Sequence, residues 1–337
     1  MTAQRRTTAA VLAVDGGNSK TDVLVVGHDG TVLGSSRGPT STPHLLGAEG
    51  SVALLDELVS AATARVQADG PVTVPLAEVA AVYLAGADYP QEVAELEALV
   101  RPLGWAREAY VENDTLALLR AGTDAPDAVA VVCGAGINAV GVAADGRQLR
   151  FPALGQTSGD WGGGEDLGKE ALWAAARDED GRGPATSLTA AVLEHYGLAT
   201  VADVSAGLHF ERLAEASLIE LAPAVISAAR AGDPVAAALM DRQAGEVAVM
   251  AVASLRRLGL LDGAASVVLG GSVLVRGGDE LVADVTARIH ASAPLADVSV
   301  VAVPPVVGAA LAGLDRVGAP AAAHENLRRE AVRGLPR

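Results

Sequence analysis

The chain has 337 residues, half of them hydrophobic, and a formal net charge of −16 at pH 7. This length is enough for a sizeable core and predicts two domains, whereas the acidic charge argues against nucleic acid, which needs a positively charged binding surface. The single cysteine, Cys133, excludes an intrachain disulfide, and the six histidines show no paired spacing typical of zinc sites. Any metal is therefore expected to have oxygen ligands.

The beginning of the chain lacks the pattern of a signal peptide. The apolar run after Arg5 and Arg6 is short and is interrupted by Asp15. No stretch reaches the roughly 18 uninterrupted apolar residues that a membrane helix needs. We therefore expect a cytoplasmic protein that does not use a membrane as a partner.

The first strand-loop-strand pattern covers residues 11–28. An apolar run ends at Asp15, a polar loop follows, and a second apolar run begins at Val23. Glycines let backbone N–H groups approach an anion, and hydroxyl and lysine side chains add donors. The loop could therefore hold phosphate, although an ordinary hairpin turn explains the same pattern. The loop residues are Gly16, Gly17, Asn18, Ser19, Lys20 and Thr21.

Three antiparallel strands are predicted first, because His28-Asp29-Gly30 is typical of a tight turn into a third strand over 31–36. A loop over 38–47 precedes a helix over 48–66, where leucines and valines have helical spacing. A strand over 79–84, a helix from Pro90, a strand over 109–111 and a helix from Asn113-Asp114 to Gly122 follow. The predicted order is βββαβαβα.

The same pattern then restarts. Strands over 129–133 and 137–142 flank Gly134-Ala135-Gly136, and Asp145-Gly146 leads into a strand over 148–151. The shared order favours two duplicated halves over coincidence. A helical insertion is predicted over about 165–259. The later elements are a strand over 266–269, the turn Gly270-Gly271-Ser272, a helix over 278–291, a strand over 298–303, a helix over 306–314 and a frayed helix over 324–337.

Two halves that each open with a glycine-looped hairpin resemble the sugar kinase, Hsp70 and actin superfamily. Within it, the chain resembles the BadF/BadG/BcrA/BcrD-type ATPase and N-acetylglucosamine kinase family, from Val11 to about Leu314, most specifically over 171–198. The resemblance implies an α/β protein of two ribonuclease H-like domains with an ATP cleft between them. These would be residues 1–122 with a C-terminal helix over about 306–337, and residues 123–305 with the helical insertion.

The resemblance also implies an ATP site with Mg²⁺. In the family, two phosphate loops clamp ATP and an aspartate holds the metal through water. Asp15 takes the metal-binding position here, although an aspartate at a strand end is also a common turn former. The corresponding cofactor residues are Asp15, Gly16, Gly17, Asn18, Ser19, Lys20 and Thr21 in the first loop, Gly134, Ala135 and Gly136 in the second, and Gly270, Gly271 and Ser272 on the adenosine side.

The segment Asn113-Asp114-Thr115 resembles the Asn-Asp-Thr segment of hexose kinases, in which the aspartate is the catalytic base. At a helix start, backbone N–H groups and the macrodipole would keep the Asp114 carboxylate ionised, so that it can accept a hydroxyl proton. An N-cap role for Asp114 explains the same position. The resemblance favours the base.

The sugar site departs from the family pattern. The family's Gly-Asp-Glu-Gly-Ser-Gly segment is Gly159-Asp160-Trp161-Gly162-Gly163-Gly164 here, so Asp160 is retained while tryptophan replaces glutamate. Asp160 is expected to bind a sugar hydroxyl. Trp161 is expected either to stack on the pyranose or to pack in the core. The other expected sugar-site residues are Thr42, Asp88, Asn113, Asn138 and Gly155.

The implied reaction is ATP-dependent phosphorylation of a sugar or amino sugar, similar to N-acetylglucosamine or glucosamine, at the C6 hydroxyl. The resemblance also allows a homodimer. Two other functions stay open: a sensor that binds sugar or nucleotide without turnover, and an ATPase that activates a partner protein. The activators hold an iron–sulfur cluster with interface cysteines, and a lone Cys133 inside a predicted strand does not fit that pattern.

Overall fold

The computed structural model describes residues 9–68 and 75–335, which divide into two compact units. Of these residues, those up to Ala125 and those from Val301 onward form the first unit, and Pro126–Val300 forms the second. None of the helices in these ranges combines the length and apolar character needed to cross a bilayer.

Both units are built from strands and helices, and each begins with three consecutive strands. In chain order, the elements of the described residues are β1 (Ala9–Gly16), β2 (Thr21–Val26), β3 (Val32–Gly38), α1 (Pro43–Ala68), β4 (Ala77–Leu84), α2 (Pro90–Val100), β5 (Ala106–Asn113), α3 (Asp114–Gly122), β6 (Ala128–Cys133), β7 (Ile137–Val142), β8 (Gln148–Arg150), α4 (Gly163–Glu179), α5 (Leu188–Tyr196), α6 (Val201–His209), α7 (Ala222–Arg230), α8 (Pro234–Leu258), β9 (Ser266–Gly270), α9 (Ser272–His290), β10 (Asp297–Val300), α10 (Pro305–Arg316) and α11 (Ala321–Arg333).

Each unit contains one mixed five-stranded sheet among the described residues. The strand orders are β3-β2-β1-β4-β5 and β8-β7-β6-β9-β10. In both sheets the first three strands pair antiparallel, and the central strand pairs parallel with the fourth strand. The two sheets therefore repeat one topology, in agreement with the two hairpin patterns of the sequence.

The sheet of the first unit has both faces covered. Apolar side chains of β1 and β4 alternate between two core clusters, one packed against α1 and α2 and the other against α10 and α11. Such a strand is apolar on both faces, which is why it appears as an unbroken hydrophobic run.

The carboxyl ends of the parallel strands in this sheet lie side by side. Gly16 of β1 pairs with Leu84 of β4, and Leu84 pairs with Asn113 of β5. The residues that follow these strand ends are therefore neighbours in space, which is the usual position for ligand sites in α/β sheets.

Several predicted boundaries were wrong, chiefly because glycines interrupt helices. The predicted loop over 38–47 contains the first turn of α1, which begins at Pro43 before Gly47 (φ 70°, ψ 164°) breaks the helical geometry. Likewise α9 begins at Ser272 and is interrupted at Gly278 (φ 67°, ψ −167°). The periodic hydrophobic pattern starts only after each interruption, so the sequence places each helix start too late.

The end of the chain also differs from its prediction. Strand β10 ends at Val300 rather than at residue 303. Helix α11 begins at Ala321 and is anchored by the fully buried side chain of Leu327, so it is not a frayed tail up to Arg333.

Candidate active site

The first unit gathers acidic side chains at its sheet edge. Asp15 lies at the end of β1 and is buried, Asp88 lies in the loop after β4, and Asp114 is the first residue of α3 after β5. Asn113 connects two of these strand ends, because its Nδ2 donates to Asp88 Oδ1 at 2.7 Å. The structure thus brings together four of the predicted site residues.

Asn113, not Asp114, is the N-cap of α3. The Asn113 Oδ1 atom accepts hydrogen bonds from the backbone N–H and the hydroxyl of Thr115. An N-cap side chain satisfies one of the unpaired N–H groups of the first helical turn. The N-cap role, which was the alternative to a catalytic role for Asp114, therefore belongs to Asn113.

Burial raises the pKa of both central carboxylates. The pKa of Asp114 rises from 3.8 to about 7 because of desolvation and the charge of Asp88, although backbone N–H groups of Thr115 and Asp114 oppose the shift. The pKa of Asp15 rises to about 8 because of desolvation and the charges of Asp114 and Asp22. The backbone donors at the helix start do lower the pKa of Asp114, as expected from the sequence, but desolvation and the charge of Asp88 outweigh them.

This carboxylate pair fits a divalent cation with oxygen ligands. Asp15 is buried, and the charge of the partly buried Asp114 raises its pKa, so a bound cation would stabilise its ionised form. Mg²⁺ prefers carboxylate oxygens together with waters and phosphates. Asp15 is the more strongly perturbed of the two. The donor chemistry therefore agrees with Asp15 as a Mg²⁺ ligand.

The first glycine loop is a tight hairpin turn. Gly17 N–H donates to Lys20 O at 2.9 Å, and Asn18 and Ser19 are exposed at the tip. Gly16 has no room for a side chain, because a Cβ would lie 2.4 Å from Ser41 Oγ. The backbone of the exposed tip is available to an anion.

Two polar side chains of this loop have other partners. The Thr21 hydroxyl is fully buried, donates to Pro39 O and is also hydrogen-bonded to the Ser41 hydroxyl, so it stabilises the loop and is not an exposed phosphate donor. Lys20 Nζ donates to Asp22 Oδ2 at 2.6 Å, while its side chain remains half exposed. An ammonium group has three N–H donors, so this contact leaves Lys20 with donors for a ligand.

Thr42 lies beneath the loop that carries Asp88. It is buried, its hydroxyl donates to Ala85 O at 3.4 Å, and a Cβ on Gly86 would lie 3.1 Å from its Oγ1. The structure therefore places Thr42 next to the predicted sugar residues, where its hydroxyl supports the loop over 85–88.

Two residues of this neighbourhood were missed in the sequence. His44 Nε2 lies 3.8 Å from Glu92 Oε1, and with Asp88 these side chains offer ligand atoms within 4.8 Å of one another. Glu92 also accepts from the N–H groups of Asp88 and Tyr89 at 2.9 Å through Oε2, as in a capping box. The Tyr89-Pro90-Gln91-Glu92 spacing could have indicated Glu92, but His44 has no local sequence signal.

The second glycine loop lies between two helix starts within the second unit. Gly134 and Ala135 accept hydrogen bonds through their carbonyl oxygens from Gly164 N–H (2.8 Å) and Glu165 N–H (2.9 Å) at the start of α4. A Cβ on Gly134 would lie 3.9 Å from Ser272 N at the start of α9, and Gly271 packs on the backbone of Cys133. The predicted residues 134–136 and 270–272 are thus brought together.

The predicted sugar residues of the second unit have separate roles. Asp160 is 9% exposed and accepts from Ser158 Oγ, and its N–H donates to Gly155 O at 3.0 Å. Gly155 (φ 63°) needs the left-handed conformation of this turn. Asn138 on β7 accepts from Ala139 N–H through its own Oδ1 at 2.7 Å.

Trp161 packs in the core of the second unit. Only 6% of the residue is exposed, and the Arg242 guanidinium lies 3.8 Å from the ring centroid. This geometry is a cation–π contact that covers one ring face. The structure therefore favours the core-packing interpretation of Trp161 over stacking on a sugar.

Cys133 is fully buried at the end of β6. Desolvation raises the pKa of its thiol to about 12, although a backbone hydrogen bond with Gly163 opposes the shift. A buried thiol of high pKa is a poor metal ligand and nucleophile. Cys133 is therefore a structural residue.

The chain is matched by a family profile as well as by individual proteins. The profile of the BadF/BadG/BcrA/BcrD ATPase family matches residues 12–313. This chain belongs to that family. The BadF-family chain is similar to the N-acetylmuramic acid/N-acetylglucosamine kinase of Clostridium acetobutylicum, with 28% identity over 70% of this chain and 76% of that protein. It is also similar to the N-acetyl-D-glucosamine kinase of Dictyostelium discoideum, with 24% identity over 74% of this chain and 80% of that protein.

A solved structure agrees with this placement. A candidate N-acetylglucosamine kinase from Chromobacterium violaceum superposes with a TM-score of 0.72 and 25% identity, over 91% of this chain and 99% of that one. The BadF-family chain therefore shares its α/β architecture with sugar kinase relatives over nearly the full length of both chains.

Proposed function

We propose that this BadF-family chain is an ATP- and Mg²⁺-dependent kinase that phosphorylates a sugar or amino sugar on its C6 hydroxyl. The observation that carries the proposal is the pair of buried Asp15 and partly buried Asp114 at the carboxyl ends of the strands, with the pKa of each carboxyl raised to about 8 and about 7. Carboxyl groups whose pKa is strongly raised by desolvation and by a neighbouring charge are typical of catalytic sites.

Each carboxylate has a separate role in this proposal. Asp114 accepts the proton of the acceptor hydroxyl, because a base with a pKa near 7 matches the operating pH. Asp15 holds Mg²⁺, which when bound neutralises charge on the transferred phosphoryl group. In the first unit, the loop after β1 is proposed as a nucleotide-binding segment. In the second unit, the loop after β6 and the glycine turn before α9 are proposed as nucleotide-binding segments.

The acceptor sugar is proposed to contact Asp88 and Asn113. Asn113 and Asp88 are joined by a hydrogen bond, and Asn113 also fixes the start of α3, so a sugar bound there lies next to Asp114. The two curated relatives are named as N-acetylglucosamine kinases, which supports N-acetylglucosamine or glucosamine as the acceptor class.

A panel assay tests the function. ADP release is measured with hexoses, hexosamines and their N-acetyl forms, and the phosphorylated product is identified by NMR. We expect one amino sugar to raise ADP release well above the water background and to gain phosphate at O6. If no acceptor raises ADP release while sugars or nucleotides still raise the melting temperature, the chain is a sensor.

A partner-activating ATPase is less well supported. Such activators in this family ligate an iron–sulfur cluster with cysteines, and cluster ligation needs thiolates. Cys133 is the only cysteine of the sequence and is buried with a pKa of about 12. A purified protein with stoichiometric iron and visible absorbance would revive this function.

The raised pKa of Asp114 predicts a steep acid limb in the pH profile. The base acts only when ionised, so kcat/KM for the sugar is expected to fall about tenfold per pH unit below about pH 7 and to level off at higher pH. The measurement is kcat/KM between about pH 5 and 9 at saturating ATP and Mg²⁺. A kcat/KM that stays level from pH 9 down to pH 5 would contradict the assignment, since it would place the pKa of the essential group near the ordinary aspartate value of about 4.

His44→Ala is expected to raise KM for the acceptor sugar by about 3- to 10-fold without a comparable change in kcat. The substitution removes the imidazole next to Asp88, and with it a hydrogen-bonding group for a sugar bound there. His28→Ala is the matched control, since His28 is similarly exposed and pairs with Glu78 away from this cluster. Equal KM values for the two variants would remove His44 from the sugar site.

A further inference from the structure

Gln243 on α8 is fully buried, and its two polar atoms have different surroundings. Oε1 accepts a hydrogen bond from Gly163 N–H at 2.8 Å, whereas Nε2 has no partner among the described residues. Buried amide groups normally satisfy both ends, and an unpaired donor costs stability. Among the described residues, the hydrogen bond that this amide makes is therefore the one from Gly163 N–H to its oxygen.

Gly163 joins Gln243 to the second glycine loop. A Cβ at this position would lie 2.5 Å from the carbonyl oxygens of Ala135 and Gly136, and the residue has φ of +84°. Both features exclude a side chain, including the serine that the family pattern implies for this position. The backbone at the start of α4 therefore lies directly against the loop.

The following residues hold the loop through hydrogen bonds. Gly164 and Glu165 donate their N–H groups to the carbonyl oxygens of Gly134 and Ala135. On the other side of the turn, Gly162 N–H donates to Asp166 Oδ2 at 2.8 Å. Gly162 favours glycine because its φ of +139° is a conformation that L side chains rarely adopt, and a Cβ there would also lie 2.6 Å from Gln243 Nε2.

We propose that Gln243 is a positioning residue for the second phosphate loop, acting through Gly163. Its Oε1 fixes the Gly162–Gly164 turn, and the turn fixes residues 134–136. Gly134 N–H donates to Gly136 O within the turn at 2.9 Å. The N–H groups of Ala135 and Gly136 are thereby the ones held ready for the ATP phosphates, at no reorganisation cost when ATP binds. The inference rests on the proposed function only in naming ATP as the ligand of this loop.

Two substitutions of Gln243 distinguish the effect of its hydrogen-bond acceptor atom, Oε1, from the effect of its side-chain volume. Gln243→Met keeps a similar size but leaves Gly163 N–H without its acceptor, and we expect the Kd for ATP, measured by calorimetry, to rise about tenfold. Gln243→Glu keeps an acceptor oxygen at a helix N-terminus and is expected to bind ATP more tightly than the Met variant. Amide hydrogen exchange of residues 134–138 without nucleotide is expected to quicken in the Met variant only.

Val247→Ala is the control for a general loss of core stability. Val247 is fully buried on α8, one turn beyond Gln243. We expect this variant to melt at a lower temperature with an unchanged Kd for ATP and unchanged exchange at 134–138. If Val247→Ala shifts Kd and exchange as much as Gln243→Met does, or if neither Gln243 variant shifts them, the positioning role is refuted.

Failure of the proposed function gives a different result. A wild-type protein that binds no ATP refutes ATP as the ligand, but the exchange comparison, which needs no nucleotide, still decides the positioning role. A protein that binds ATP and shows equal exchange in wild type and Gln243→Met refutes the positioning role alone.

Discussion

Asp114→Asn is expected to lower kcat for sugar phosphorylation by on the order of 10³-fold, because the variant removes the general base from the acceptor hydroxyl. The fold should survive, since the N-cap of α3 is Asn113 and not Asp114. KM for ATP should stay within a few-fold of wild type, because Asp114 is not proposed to bind the phosphates. The measurement is steady-state ADP release with the acceptor found in the panel assay.

Asp29→Asn is the matched control for this substitution. Asp29 is an aspartate of the same unit whose pKa is lowered by hydrogen bonds from Thr31, and it lies in the turn between β2 and β3. An asparagine keeps the turn hydrogen bond. We expect activity within two-fold of wild type. Full activity of Asp114→Asn would remove the base assignment, whatever the control shows.

Local patterns explain why much of the fold could be predicted. The paired glycine hairpins, the Asp-Gly turns and the capping sequences at Pro90 and Asp233 are each encoded within a few residues, and the structure contains the strands and helices that they predict. Asp15, Asp88 and Asn113 lie near each other because parallel strands end at one edge, which follows once the strand order is known. This part of the candidate site can therefore be predicted from the strand topology alone.

The remaining site features depend on contacts between distant segments. Arg242 covers Trp161 from another helix, and Gln243 reaches Gly163 across 80 positions of the chain. The sequence predicts Thr21 as a phosphate donor, but in the structure its hydroxyl is hydrogen-bonded to Pro39 O and Ser41 Oγ. No spacing rule within a loop or helix reveals such partners, because packing alone determines them.

The charge state of Asp114 shows the same limit. A helix start stabilises a carboxylate by a few tenths to one kcal/mol at exposed sites. Burial together with the charge of Asp88 acts in the opposite direction and is the larger effect here, so the pKa rises to about 7. The sequence indicates the helix start but not the depth of burial. That depth is what gives the base a useful pKa.

Asp15→Asn is expected to abolish Mg²⁺-dependent turnover while making the metal-free protein more stable at alkaline pH. The folded-state pKa of Asp15, about 8, lies above its ordinary value of 3.8. The unfolded chain therefore ionises first, and stability falls as pH rises from about 4 through about 8. Removing the charge is expected to raise the free energy of unfolding by on the order of 2 kcal/mol near pH 8, with a melting temperature several degrees higher.

Asp22→Asn is the contrasting control, because the Asp22 carboxylate has two cationic partners, Lys20 and Arg37. Losing those partners is expected to lower the melting temperature at pH 8, the opposite sign from Asp15→Asn. Added Mg²⁺ should raise the melting temperature of wild type, by mass action on the folded state, but not that of Asp15→Asn. Equal Mg²⁺ stabilisation of wild type and Asp15→Asn would place the metal away from Asp15. A melting temperature of metal-free Asp15→Asn below that of wild type at pH 8 would contradict a destabilising buried charge at Asp15.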